Sequence, residues 1–355
     1  MIYLDANATE PLRPEARVAM EQAMAITGNP SSIHGAGRAA RRVVEDAREA
    51  VAKRCGVAPA AVVFTSGGTE ADALAIHALG RDRRLIIGAT EHDAVRAAAY
   101  GAEIIPVDAS GVADMAALEQ MLRGSPALVC LMLANNETGT VQPVAEVAAL
   151  CRAAGALLHV DAAQACGRMA MDMVALGADS LALSAHKMGG PAGVGALLVA
   201  PHVAPHPLLR GGGQERGWRG GTAPMMAIAG FGAVARLAPV EMSALRDRLE
   251  SLADGAVVIG RDAPRLGNTS CLALPGVAAQ TQVMSLDLAG IAVSAGAACS
   301  SGKVVRSHVL DAMGLGSLAG EAIRVSLPWN ATEADVDGFG HAWRAMEARL
   351  LQRAA

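Results

Sequence analysis

Ser184-Ala185-His186-Lys187-Met188-Gly189-Gly190-Pro191 is the stretch on which the reading of this chain turns. It follows the apolar run 180–183 and ends it with a lysine and a cluster of small residues. Upstream, Asp161-Ala162-Ala163-Gln164 ends the apolar run 157–160 in a similar way. Further short β-rich runs lie at 62–65, 85–88, 103–107, 128–133 and 194–199. Helical patterns at 70–79, 115–122 and 144–154 separate most of them. This alternation predicts crossover units, and so an α/β fold with a mostly parallel, seven-stranded sheet covered by helices on both faces. Ligands of such sheets gather beyond the carboxyl ends of the strands. Ser66, His92, Asn136, Asp161 and Lys187 all fall there.

Further helical patterns flank these runs, and the last part of the chain reads as a second unit. A helical pattern covers 38–55, and another runs from Met225 to Leu252 with a break at Pro239. Candidate strands follow at 257–259, 269–274, 293–295 and 323–327. The expected division is a large domain at 12–238 and a smaller α+β domain made from 1–11 and 239–355. At 355 residues, one large and one smaller domain fit the length.

Composition narrows the class. Hydrophobic residues make up 52% and aromatics only 2%, so the core must be built from Ala, Val, Leu, Ile and Met. The net charge is −4 with both signs interspersed, which argues against nucleic acid or an anionic membrane as a direct partner. No apolar run approaches the roughly 20 residues that cross a bilayer. The start, Met1-Ile2-Tyr3-Leu4-Asp5, shows no leader pattern. The six cysteines are scattered without a Cys-x-x-Cys pair, so neither a zinc site nor a disulfide framework is expected, and a reducing cytoplasm fits best.

The strand ends carry the chemistry. A lysine at one strand end and an aspartate at a neighbouring one match the needs of pyridoxal phosphate: an amine to hold the aldehyde as a Schiff base, and a carboxylate to keep the pyridine nitrogen protonated. Ser66-Gly67-Gly68-Thr69-Glu70 opens a helix with small residues, which suits a phosphate at its positive end. It also suits an ordinary turn capped by Thr69 or Ser66. His92 is either a stacking and proton-passing imidazole or a loop histidine. Asn136 either donates to a cofactor oxygen or makes an Asx-turn. Arg324, a charge inside an apolar strand pattern, either forks onto a substrate carboxylate or forms an internal ion pair. Cys299 sits among small residues in Gly296-Ala297-Ala298-Cys299-Ser300-Ser301-Gly302-Lys303. It reads either as a thiol on an accessible loop with Lys303, Arg306 and His308 nearby, or as a cysteine without chemistry.

Taken together these motifs resemble the pyridoxal-phosphate cysteine desulfurases of the NifS/IscS type, within the class V aminotransferase superfamily. The resemblance runs from Tyr3-Leu4-Asp5-Ala6-Asn7-Ala8-Thr9 to Ser326, and includes Gly28-Asn29-Pro30-Ser31-Ser32-Ile33-His34, His159-Val160-Asp161 and the glycine-rich tract 211–221 with Thr222. It implies the type I fold of PLP-dependent transferases and the following roles. Lys187 holds the cofactor and moves protons at the substrate α-carbon. Asp161 pairs with the ring nitrogen, Gln164 and Asn136 reach the phenolic oxygen, and His92 stacks on the ring. Gly68 belongs to the phosphate loop; Thr69, Ser184 and His186 hold the phosphate, with Thr222 arriving from the second subunit of a homodimer. Arg324 and Asn136 bind the carboxylate of L-cysteine. Cys299 takes the sulfur as a persulfide and passes it to an acceptor, such as an iron–sulfur scaffold protein or a tRNA-thiolation partner.

The chain departs from that pattern in places. Gly68 stands where alanine is usual, Met188-Gly189-Gly190-Pro191-Ala192 where a tyrosine and a second lysine are common, and Glu10 where threonine is frequent. Pro328-Trp329-Asn330 replaces a common Gly-Arg. Rival expectations are another class V reaction, such as a transaminase or selenocysteine lyase, and a catalytically silent dimeric scaffold.

Overall fold

The computed structural model describes residues 1–124, 126–296 and 306–351. After a two-residue strand β1 (Ile2–Tyr3), the chain enters the helices Pro14–Met24 and Gly35–Arg54. The second begins three residues earlier than the hydrophobic pattern suggests, because His34 Nδ1 accepts from Gly37 N (3.2 Å) and caps it.

The strands β2 (Val62–Thr65), β3 (Arg84–Gly88), β4 (Glu103–Ile105), β5 (Ala127–Met132), β6 (Leu157–Asp161), β7 (Ser180–Ser184) and β8 (Gly195–Val199) form one seven-stranded sheet in the order β2-β8-β7-β6-β5-β3-β4. Pairings among β3 to β7 are parallel, and β8 runs antiparallel to both β2 and β7. The reversal has a simple cause. A parallel return needs a crossover of roughly a dozen residues or more, and the link 185–194 is too short for one. Strands β5, β7 and β8 are buried along their whole length, which explains why they read as continuous apolar runs.

The helical pattern from 225 to 252 becomes two helices, Met225–Ala235 and Ser243–Ser251. Beyond them β9 (Val257–Ile259), β10 (Thr269–Ala273), β11 (Ile291–Ala292), β12 (Ser294–Ala295) and β13 (Ala322–Ser326) build an antiparallel sheet β12-β13-β10-β9, while β11 pairs in parallel with β1. The pair β1–β11 is too short to show in the sequence pattern. One core, containing Phe64, Leu131, Leu158, Leu183 and Phe231, lies against the large sheet. A separate core joins Leu4 to Leu272, Ile323, Phe339 and Trp343. No helix among the described residues is long and apolar enough to cross a membrane.

Candidate active site

Five strands of the large sheet end at one cavity of about 490 Å³. Beyond β2 lies the turn Ser66-Gly67-Gly68-Thr69, beyond β3 His92, beyond β5 Asn136, at the end of β6 Asp161, and beyond β7 Ser184, His186 and Lys187. All of them line that space, as do Gln164, Arg324 and Gly296. The crevice at the carboxyl ends is therefore the common destination of residues separated by more than a hundred positions.

The turn after β2 leads into the helix Gly68–Leu79. Its N-cap is Gly67, with no side chain capping the helix, so neither Thr69 nor Ser66 plays the capping part that the sequence also allowed. A Cβ placed on Gly67 would meet nothing within 4 Å, leaving open space at the helix N-terminus. Uncapped N–H groups at the positive end of a helix are an anion site. Glu70 braces this turn: its Oε2 accepts from Ser66 N (2.8 Å) and its Oε1 from Arg219 Nε (2.8 Å).

Asp161 is buried, and one carboxylate oxygen accepts from Ala163 N (2.9 Å). Burial, then the nearby Asp72, push its pKa up to about 6. Lys187 donates from Nζ to the carbonyls of Asn7 and Ala8, the latter at 2.9 Å. Burial and the neighbouring Arg324 and Arg168 guanidiniums bring its pKa down to about 7. A substantial share of the amine is thus neutral and nucleophilic at neutral pH. Burial and Lys187 lower His186 to about 4, so its imidazole is neutral and lies 3.2 Å from Thr9 Oγ1. His92 caps the helix Asp93–Ala98 by accepting from Ala94 N (3.1 Å) and stands at the cavity edge.

Arg324 forms the internal ion pair that the sequence allowed. Its Nη2 pairs with Asp5 Oδ1 at 2.7 Å, yet its Nε is buried without a partner and the side chain lines the cavity. An unused donor of a buried fork is what an incoming carboxylate would satisfy. Thr222 is not brought into this cavity by its own chain; it is exposed, in a neighbouring cleft with Ser66 and Arg219. Cys299 and Lys303 lie outside the described residues.

Several residues at the site carried no role in the sequence reading. Asn7 donates through Nδ2 to Asn136 O (3.0 Å) and Thr269 Oγ1 (2.9 Å), and its carbonyl takes bonds from Lys187 and from Gln164 Nε2 (3.0 Å). Arg168, whose side chain is 7% exposed, donates to Gln164 Oε1 and to Ala6 O. The signal was there in part: polar residues inside the otherwise apolar start of the chain, and an arginine four residues after Gln164.

The donor set fits pyridoxal 5'-phosphate. An uncapped helix end stands at one side of the cavity for a phosphate, Asp161 is available for a ring nitrogen, and an amine with a lowered pKa is available for an aldehyde.

Comparison with known proteins points the same way. The family model described as Aminotransferase class-V matches residues 2–339. A cysteine desulfurase of Cereibacter sphaeroides is 45% identical, over 95% of this chain and 93% of that protein. An IscS-like cysteine desulfurase of Mycobacterium tuberculosis is 39% identical over 95% of this chain and 94% of its own length. Among solved structures, a NifS-like protein from Rickettsia africae superposes with a TM-score of 0.91 at 32% identity, covering 98% of this chain and 99% of that one. With the lysine, aspartate and open helix end converging on one cavity, the chain belongs to the class V aminotransferase family, among its pyridoxal-phosphate-dependent cysteine desulfurases.

Proposed function

We propose that this cysteine desulfurase draws the sulfur of L-cysteine onto Cys299 and hands the resulting persulfide to an acceptor protein for iron–sulfur cluster assembly. It would work as a cytoplasmic homodimer in which Thr222 completes the partner's phosphate site. Residues 12–238 act as the cofactor-binding domain, and 1–11 with 239–355 carry the loop that bears Cys299. The observation behind this reading is the shared cavity. Lys187, Asp161, Arg324 and Gly296 line one space. Cys299 follows Gly296 by three residues in the sequence.

Pyridoxal 5'-phosphate, when bound, supplies the electron sink that makes the bonds around the substrate's α- and β-carbons labile. The protein's own groups do the rest. Arg324 and Asn136 orient the substrate carboxylate. Lys187, close to half-protonated at neutral pH, takes a proton from the α-carbon and returns one. Asp161 holds the ring-nitrogen proton, and Gln164 and His92 fix the ring. The Cys299 thiolate attacks the substrate sulfur, so the carbon–sulfur bond breaks as a sulfur–sulfur bond forms. L-Cysteine and the enzyme thiol become L-alanine and an enzyme persulfide, and atoms and electrons balance.

Cys299→Ser should retain the cofactor's visible absorbance and lose desulfuration of L-cysteine by at least about a thousandfold, since the serine hydroxyl is neither ionised nor thiophilic. Sulfide release at the wild-type rate from that variant would remove Cys299 from the mechanism.

A further inference from the structure

Behind Asp161 the sheet carries a polar group that the proposed chemistry does not use. His159 precedes Asp161 by two residues on β6, so both side chains leave the same face of the sheet. The histidine is fully buried. Its Nε2 lies 3.1 Å from Asp72 Oδ1 and its Nδ1 2.8 Å from Ser180 Oγ on β7. Asp72 sits on the helix Gly68–Leu79, is 1% exposed, and lines the same cavity as Asp161. Here a buried carboxyl, an imidazole and a hydroxyl stand in line, with one end of the line open to the cofactor site.

We propose that Asp72, His159 and Ser180 form a one-proton relay behind Asp161, and that Asp72 is a positioning residue whose charge state sets the field at the cofactor ring. In one state Asp72 is a carboxylic acid donating to His159 Nε2, and His159 Nδ1–H donates to Ser180 Oγ. In the other, Asp72 is an anion accepting from Nε2–H, and Nδ1 accepts from the Ser180 hydroxyl. The two states differ by one proton, which goes to solvent, and by the imidazole tautomer: Nδ1–H in the first, Nε2–H in the second. A negative charge then appears beside Asp161 and strengthens the hold on the ring-nitrogen proton.

Burial supports the first state at neutral pH, raising Asp72 to about 8 and lowering His159 to about 4. The other titratable groups around the relay are Asp161 on the same strand, Cys130 on β5, and Glu91, His92 and Lys187 at the neighbouring strand ends. Glu91 is fully buried, with Oε1 accepting from Met132 N (2.7 Å) and Oε2 without a partner. Burial holds it protonated well above the usual range, and it does the same for the Cys130 thiol, so neither adds a charge near neutrality. The consequence for the ring rests on the proposed role of Asp161; the relay itself does not.

The test is NMR of 15N-histidine-labelled protein between pH 6 and 10, on both apoprotein and holoprotein. In the apoprotein the two ring nitrogens of His159 should exchange protonated and unprotonated character with a midpoint near pH 8. Asp72→Asn should abolish that exchange. Ser180→Ala, a milder change that removes the partner of Nδ1 in both states, should shift the midpoint while leaving the exchange in place. In the holoprotein the ring absorbance should show a step at the same midpoint, absent in Asp72→Asn. Ring nitrogens that do not change in the wild-type protein, or an exchange that survives Asp72→Asn, would overturn the relay. An exchange without the absorbance step would separate the relay from Asp161 and refute the positioning role.

Discussion

The cavity has two walls, assembled in different ways. One consists of strand ends of the seven-stranded sheet: Asp161 and Ser184 finish β6 and β7, and Ser66, Asn136 and Lys187 follow shortly after β2, β5 and β7. The other is a strap, residues 5–10, seated against the far end of the chain. Asp5 pairs with Arg324, Asn7 N donates to Ser326 Oγ (2.9 Å), and Glu10 Oε1 accepts from Trp329 N (2.8 Å). On the sheet wall, position follows from topology, because any residue ending a parallel strand must face the crevice. On the strap wall, position depends on individual contacts between residues more than three hundred positions apart. A change on the strap should therefore loosen the structure, whereas a change on the sheet wall should alter chemistry in a standing fold.

The largest stability effect should come from the Asp5–Arg324 pair, whose side chains are only 18% and 5% exposed. Asp5→Asn keeps the shape but leaves the guanidinium buried without its counter-charge. Urea unfolding should show a loss of about 3 kcal/mol; an unchanged midpoint and slope would mean that the strap is not held by this pair. A smaller effect should follow from Trp329→Ala. Its indole donates to Pro11 O (3.0 Å) and Arg13 lies over its ring at 4.8 Å, so the loss should be about 1–2 kcal/mol. Hydrogen exchange should then speed up in residues 2–10 while the large sheet stays protected. The smallest effect is a pH dependence on the sheet wall. Because Lys187 titrates near 7, it is mostly charged below that pH and mostly neutral above it. Cofactor loading of the apoprotein should rise with pH through a midpoint near 7, without a change in fold; a midpoint near the ordinary lysine value would remove the burial effect.

The same contrast explains what the sequence disclosed. The seven strands, their mostly parallel pairing and the gathering of Ser66, His92, Asn136, Asp161 and Lys187 follow from apolar periodicity and from where each run stops. The pairing of Arg324 with Asp5 does not, because nothing in either local pattern names the other. The departures Glu10 and Trp329 looked unrelated in the sequence, yet in the fold Glu10 accepts from Trp329 N and the Trp329 ring lies under Arg13. Gly189 belongs to the same corner: it has φ +81°, and a Cβ there would lie 2.6 Å from Arg13 Cγ, so a larger residue would push Arg13 aside. Asp72 was hidden for a different reason. A carboxylate early in a helix reads as a surface charge, and only the crossing of that helix over β6 turns it toward His159.

The account rests on Lys187 being the amine that carries the cofactor. The chain contains three lysines, Lys53, Lys187 and Lys303, so the assignment can be read directly. Borohydride reduction of the holoprotein, followed by digestion and peptide mass spectrometry, should place a single pyridoxyl group on Lys187. A label on Lys53 or Lys303, with Lys187 recovered unmodified, would contradict the account.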